Sequence, residues 1–185
     1  MDAIENMLSR ISAGALTDPA PPKDVLDTAL RCAMTAPDHG RIRPARFIIV
    51  EGDARLKLGR SFADAVKRVQ PDATPEALDR EVKKPMRAPM VIVAVSSPKK
   101  EKIPEIEQTL SVGASIQNLM LALHAKGYGA IWRTGDAAYD NGVKRDLGLT
   151  PDDAIVGFIY AGTIATPPRQ IERAQPEGWV RHLAV

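Results

Sequence analysis

Three short stretches of this chain hold the residue types that grip a phosphate. Arg10 and Ser12 stand close to the N-terminus, His39 is followed by Arg41 and Arg43, and Trp132-Arg133-Thr134-Gly135 comes much later. A guanidinium binds phosphate through two parallel N–H bonds, and hydroxyl and backbone N–H groups complete the cradle. Taken singly each stretch is weak, because most surface arginines are merely solvated. Their weight comes from the failure of other chemistries to find their residues.

His39, His124 and His182 lie far apart without ligand-like spacing, and Cys32 is the only cysteine, so neither a metal site nor an internal disulfide is expected. No Gly-x-Ser-x-Gly elbow occurs. Ser96 and Lys99, or Ser97 and Lys100, match a Ser-x-x-Lys spacing, but Pro98 interrupts the helix that would lift the lysine over the serine. That stretch reads as a solvated loop. Gly127-Tyr128-Gly129 follows a helical pattern and precedes a strand, the reverse of a dinucleotide loop, so it reads as a helix cap. Cys32 falls near an apolar helical stripe and reads as core; His124 reads as structural or interfacial. No side chain is assigned a catalytic role.

The elements that must position the three stretches follow from hydrophobic period. Ile4, Met7, Leu8 and Ile11 predict a short amphipathic helix over 2–10, and the prolines of 17–22 break it. Val25, Leu26, Ala29, Leu30 and Ala33 form the stripe of a second helix, stopped before Pro37, and Pro37-Asp38-His39-Gly40 reads as a turn. Strands are predicted at 47–50, 91–95, 129–132 and 154–161, and further helices at 54–69, 75–84 and 140–147. The stretch 105–126 predicts a long helix, polar first and then apolar nearly all round, as for the buried centre of a fold or part of a subunit interface. Ala165 to Val185 reads as an extended arm with buried-type side chains, Trp179, Val180, Leu183 and Val185, near its end. It covers either its own domain or a partner. Strands and helices mix without repeats, which gives an α+β or α/β class.

At 185 residues the chain fits one domain, taken here as 1–185 with 164–185 as the arm. A net charge of +2 argues against a nucleic-acid partner. The absence of a long apolar run argues against a membrane one. The lone cysteine and an N-terminus without a basic-then-apolar leader suit a cytoplasmic protein.

Together these stretches resemble the nitroreductase family of flavoproteins, and in particular its small bacterial members described as NAD(P)H nitroreductases. The residues that carry the resemblance are Arg10-Ile11-Ser12, Ala36-Pro37-Asp38-His39, Pro44 with Phe47, Arg87-Ala88-Pro89, Gly129 to Gly135, and Val156-Gly157-Phe158-Ile159-Tyr160 with Gly162-Thr163. The likeness runs over almost the whole chain.

The resemblance implies an α+β fold, a mixed sheet flanked by helices, and a C-terminal arm wrapping a dimer partner. It implies a homodimer with one FMN at each of two sites shared between subunits. Arg10, Ile11 and Ser12 would contact FMN, with Arg10 and Ser12 at its phosphate. Thr35 and His39 would reach it from the other subunit, and Trp132, Arg133 and Thr134 would form the turn against the flavin. The implied activity is ping-pong reduction of a small nitroaromatic or similar electron-poor acceptor by NADH or NADPH, with hydride passing through flavin N5. Arg133 is the candidate cation for the anionic N1–O2 edge of the reduced flavin. The alternatives are another flavin reaction on the same scaffold, such as dehalogenation or quinone or enone reduction, and flavin binding without turnover. The chain departs from close relatives at Ile11, Gly14, Ala15, Thr35 and Ala45, where basic residues or a tryptophan are expected. Arg41, Arg43, Arg169 and Arg173 are the cations left to compensate.

Overall fold

A computed structural model describes residues 2–100, 102–166 and 171–183. Its centre is a five-stranded sheet of β1 (Leu16–Thr17), β2 (Ala45–Glu51), β3 (Met90–Ser96), β4 (Gly129–Arg133) and β5 (Ala154–Ile164). The order is β1-β5-β3-β2, and β4 also pairs with β5. A mixed sheet was expected; every pairing among the described residues is antiparallel. The physical reason lies in the connections. Two packed helices, α3 (Ala54–Val69) and α4 (Pro75–Lys83), join β2 to β3 and bring the chain back to the end of the sheet it left. The single helix α5 (Glu105–Ala125) joins β3 to β4 and would make that pair parallel, but β5 lies between them.

β3 reads as an unbroken apolar run because both of its faces are covered. Met90, Ile92 and Ala94 pack with Ala29 and Ala33 of α2 (Lys23–Ala33) and with Ile116 and Leu119 of α5. Val91, Val93 and Val95 pack on the other face with Leu58 and Phe62 of α3 and Val143 of α6 (Asn141–Asp146). Phe62 and Phe158 meet edge-on with centroids 4.9 Å apart. α3 and α4 approach so closely at Gly59 that a methyl group there would collide with the Val82 carbonyl.

α5 has two characters. Val112, Ile116, Leu119 and Leu123 are buried, whereas Ile106 and Leu110 stand 64% and 65% exposed. The later, apolar part of the helix is thus covered on most sides within one chain, as expected, and the uncovered apolar residues lie in its first turns. α1 (Ala3–Ser9) buries nothing, and its Ile4, Met7 and Leu8 face solvent. The predicted elements all form, with ends shifted by a few residues; the two-residue β1 was not foreseen. No helix among the described residues is long and apolar enough to cross a membrane. In the arm, residues 171–183 are exposed, Trp179 and Leu183 most of all. Of the remaining residues read as the arm, Ile164 ends β5, 165 and 166 are exposed, and 167–170 and 184–185 lie outside the described residues.

Candidate functional site

α1 is capped by the Asp2 carboxylate, which accepts from the Glu5 N–H at 2.9 Å, and ends at Arg10, whose N–H returns to the Asn6 carbonyl. Asn6 donates its amide to the Leu121 carbonyl at 3.0 Å, tying α1 to the last turns of α5. Ala13 N–H donates to the Ala130 carbonyl and fixes the following segment along β4. Arg10, Ile11 and Ser12 are thus held between the C-terminal end of α5 and β4. Arg10 and Ile11 line a cavity of about 210 Å³ with His124, Tyr128 and Ala130, and Ser12 is exposed beside them.

The electrostatics of this corner are one-sided. Arg10 Nη1 is buried and has no hydrogen-bond partner among the described residues. Arg173 from the arm donates to the Leu8 carbonyl at 3.3 Å and to the Arg10 carbonyl, bringing a second guanidinium to the first. Burial, and then the charge of Arg173, hold Arg10 below the usual arginine range. Burial, and then the charge of Arg10, hold the His124 imidazole below its ordinary 6.5. No carboxylate pairs with either arginine among the described residues. A buried donor without a partner is uncommon and costly. What would satisfy this one is an anion.

The turn after β4 lies close by. The Trp132 indole lies over the bare backbone of Gly157 and donates to the Val156 carbonyl at 3.2 Å. A side chain at 157 would collide with the indole, so glycine there places Trp132. Trp132, Arg133 and Thr134 line a cavity of about 500 Å³ between the end of β4 and helices α3 and α4. Its far wall holds Lys84, Arg87 and Tyr160, none of which sequence reasoning placed in the site. A smaller cavity of about 240 Å³ is lined by Gly14 and Leu16 together with Arg87, Arg133 and Tyr160. The same side chains therefore border both spaces and connect the N-terminal segment to the large cavity. Burial raises the Tyr160 phenol, against the pull of Arg87 and Arg133. Lys84 is neutralised by Glu81 at 2.6 Å. Arg87 and Tyr160 stand in stretches that carry the family resemblance and could have been suspected from it; Lys84 carries no such signal.

The His39 stretch does not join Arg10 in one chain. Thr35 Oγ1 donates to the Cys32 carbonyl and accepts from Asn118, midway along α5. His39 Nδ1 pairs with Glu107 Oε2 at 2.7 Å, in the first turn of α5. His124, beside Arg10, is in the last turn. Seventeen residues of one helix separate Glu107 from His124, about 26 Å at 1.5 Å per residue. Thr35 and His39 are exposed at their end of the molecule. Of the compensating cations, Arg173 lies at Arg10, Arg41 and Arg43 lie in the His39 turn, and Arg169 is outside the described residues.

Known proteins agree with this architecture. The model of the family described as "Nitroreductase family" matches residues 8–163. An Escherichia coli K12 protein named "Putative NAD(P)H nitroreductase YdjA" is 34% identical over 164 residues, 88% of each chain. A Haemophilus influenzae protein named "Putative NAD(P)H nitroreductase" is 34% identical over 165 residues, 88% of this chain and 89% of its own. Among solved structures, a nitroreductase-like family protein from Bacillus cereus superposes with a TM-score of 0.85 at 24% identity, covering 99% of this chain and 96% of that one. A Bacteroides fragilis nitroreductase with bound FMN superposes with a TM-score of 0.77 at 18% identity over the whole of both chains. The chain belongs to the nitroreductase family.

Proposed function

We propose that this protein is an FMN-dependent NAD(P)H oxidoreductase that reduces nitroaromatic or similarly electron-poor compounds, acting in the cytoplasm as a homodimer with two shared flavin sites. The observation that carries the reading is the buried, partnerless Arg10 Nη1 beside Arg173. A flavin phosphate would supply the missing anion, and Ser12 and the backbone around it would add donors. Trp132, Arg133 and Thr134 would then hold the ring system along the cavity walls. The names of the curated relatives and the FMN in the Bacteroides fragilis neighbour support this assignment.

When bound, FMN supplies the redox chemistry, taking hydride from a reduced nicotinamide and delivering it to the acceptor. The chain's own residues bind and orient. Arg133, with Arg87 on the same cavity wall, offers positive charge to an electron-rich edge of the ligand. The indole of Trp132, fixed by Val156, gives a flat surface against which an aromatic ring can lie.

The position of His39 supports the dimer. His39 is held about 26 Å along α5 from the residue beside Arg10, so a site that uses both would draw His39, and Thr35 with it, from a second copy. The exposed apolar residues of α1 and α5, with the arm's Trp179 and Leu183, are the surfaces such a copy would cover. The test is an absorbance spectrum with a sizing run: purified protein should carry or take up FMN, elute as a dimer, and oxidise NADH or NADPH when given a nitroaromatic. Colourless monomer that ignores added FMN would end the proposal.

A further inference from the structure

The turn that carries His39 is strained in a way that packing alone does not explain. Gly40, Arg41 and Arg43 have φ of 72°, 55° and 57°, all left-handed, and only the glycine adopts that backbone without penalty. Strain of this kind persists where the surroundings impose it, and it gathers at functional sites. Here Asp38 imposes it: its carboxylate accepts from the Ile42 N–H at 3.2 Å and from the Arg43 N–H at 2.6 Å. Ile42 and Pro44, on either side of Arg43, are buried and anchor the turn. Asp38 is thereby committed to backbone N–H groups, and Glu107 to His39. Arg41 and Arg43 are exposed, and neither side chain has an ion pair or hydrogen bond among the described residues.

A second basic loop is braced against the first. Ser97 N–H donates to the Pro44 carbonyl, and Ile103 packs at Gly40. The buried Gln108 amide holds that loop with three bonds, accepting from Lys99 N–H and donating to the carbonyls of Lys99 and Ile103. Lys99, Lys100 and Lys102 are exposed on it; Lys100 approaches Asp152 at 3.9 Å, and Glu101 lies outside the described residues. A buried neutral amide fixing a loop that presents cations, beside a strained turn that presents more, is a rigid basic platform.

We propose that this platform binds the phosphates of the reduced nicotinamide dinucleotide while its nicotinamide lies on the partner subunit's flavin. The inference rests on the functional reading above, which brings His39 of this turn to the other subunit's cofactor. A phosphate-rich ligand that must reach the same flavin is the dinucleotide.

The test measures flavin bleaching under anaerobic conditions by NADPH, by NADH and by 1-benzyl-1,4-dihydronicotinamide, which has no phosphate. FMN-loaded wild type is compared with R41Q/R43Q and with K99Q/K102Q, the second pair guarding against a folding defect at the strained turn. The expected result is a dinucleotide Kd raised by about tenfold or more in the arginine variant, steeper salt dependence in wild type, and unchanged bleaching by the benzyl compound. Loss for NADPH alone assigns the 2′-phosphate, and loss for both dinucleotides assigns the pyrophosphate; either supports the proposal. Unchanged dinucleotide binding in both variants overturns it, as does loss of FMN from R41Q/R43Q, which would give these arginines to the flavin phosphate. Wild type that holds no FMN removes the functional reading first, and this inference with it.

Discussion

Replacing Arg10 by methionine should act in opposite directions on the flavin-free and the flavin-loaded protein. The apolar stem that packs in the 210 Å³ cavity is kept, and the charged head with its partnerless Nη1 is removed. A buried donor without a partner costs about 1–3 kcal/mol, and more when a like charge such as Arg173 stands beside it. The guanidinium is only partly buried, so a gain of about 1 kcal/mol is the reasonable expectation for flavin-free protein. In a domain of this length that raises Tm by roughly 2–4 °C. Arginine stays charged at every working pH, so the gain should not titrate. With FMN the sign reverses, because a charge-assisted bond to phosphate worth about 1.5–3 kcal/mol is lost and Kd rises roughly 10–100-fold. Thermal unfolding with and without FMN, together with equilibrium dialysis, reads both numbers. If flavin-free R10M melts several degrees lower and holds FMN as well as wild type, Arg10 is a structural residue and the phosphate assignment is wrong.

Three other perturbations test neighbouring parts of the argument. Gly157→Ala should displace the Trp132 indole, breaking its bond to Val156 and straining the strand at a cost of about 2–3 kcal/mol; in a Trp179→Phe background, where Trp132 is the remaining tryptophan, a red shift in fluorescence reports on it. His124, held below its ordinary 6.5, makes the fold binding fewer protons than the unfolded chain, so stability is full above that value and falls as pH drops toward the folded pKa. Urea unfolding at about pH 7.5 and about pH 5.5 should show this loss, and His124→Gln should shrink it. Asp140, lowered chiefly by the Arg68 bond, caps α6 by accepting from Val143 N–H. Asp140→Asn should keep the cap, cost about 1 kcal/mol at neutral pH, and lose its disadvantage as acid protonates the wild-type carboxylate below the ordinary 3.8; an equal deficit at low pH would show that the ion pair with Arg68 does not carry the effect.

Much of this molecule is legible in its residues because hydrophobic period reports burial. β3, covered on both faces, reads as an unbroken Val/Ile run, and α2 shows its single stripe plainly. β1 is too short to show any period, and its pairing depends on β5, far away in sequence. The all-antiparallel sheet was equally hidden, since strand direction depends on how many helices cross back between strands. The site divides along the same line. Arg10 and Arg133 announce themselves by charge next to element ends, whereas Lys84 and Tyr160 reach the large cavity only through the packing of α4 and the register of β5. The instructive case is α5. Its later, apolar part is covered within the chain, yet Ile106 and Leu110, in the first turns that read as polar, stand in water. Periodicity records the burial a residue meets in its working assembly, which on the proposed reading includes a second copy. The same reasoning applies to His39, a site-type residue held about 26 Å along α5 from the arginine it was grouped with. An apolar stripe without a cover and a binding residue without its site are two signs of one missing surface, and a second copy of the chain would supply both.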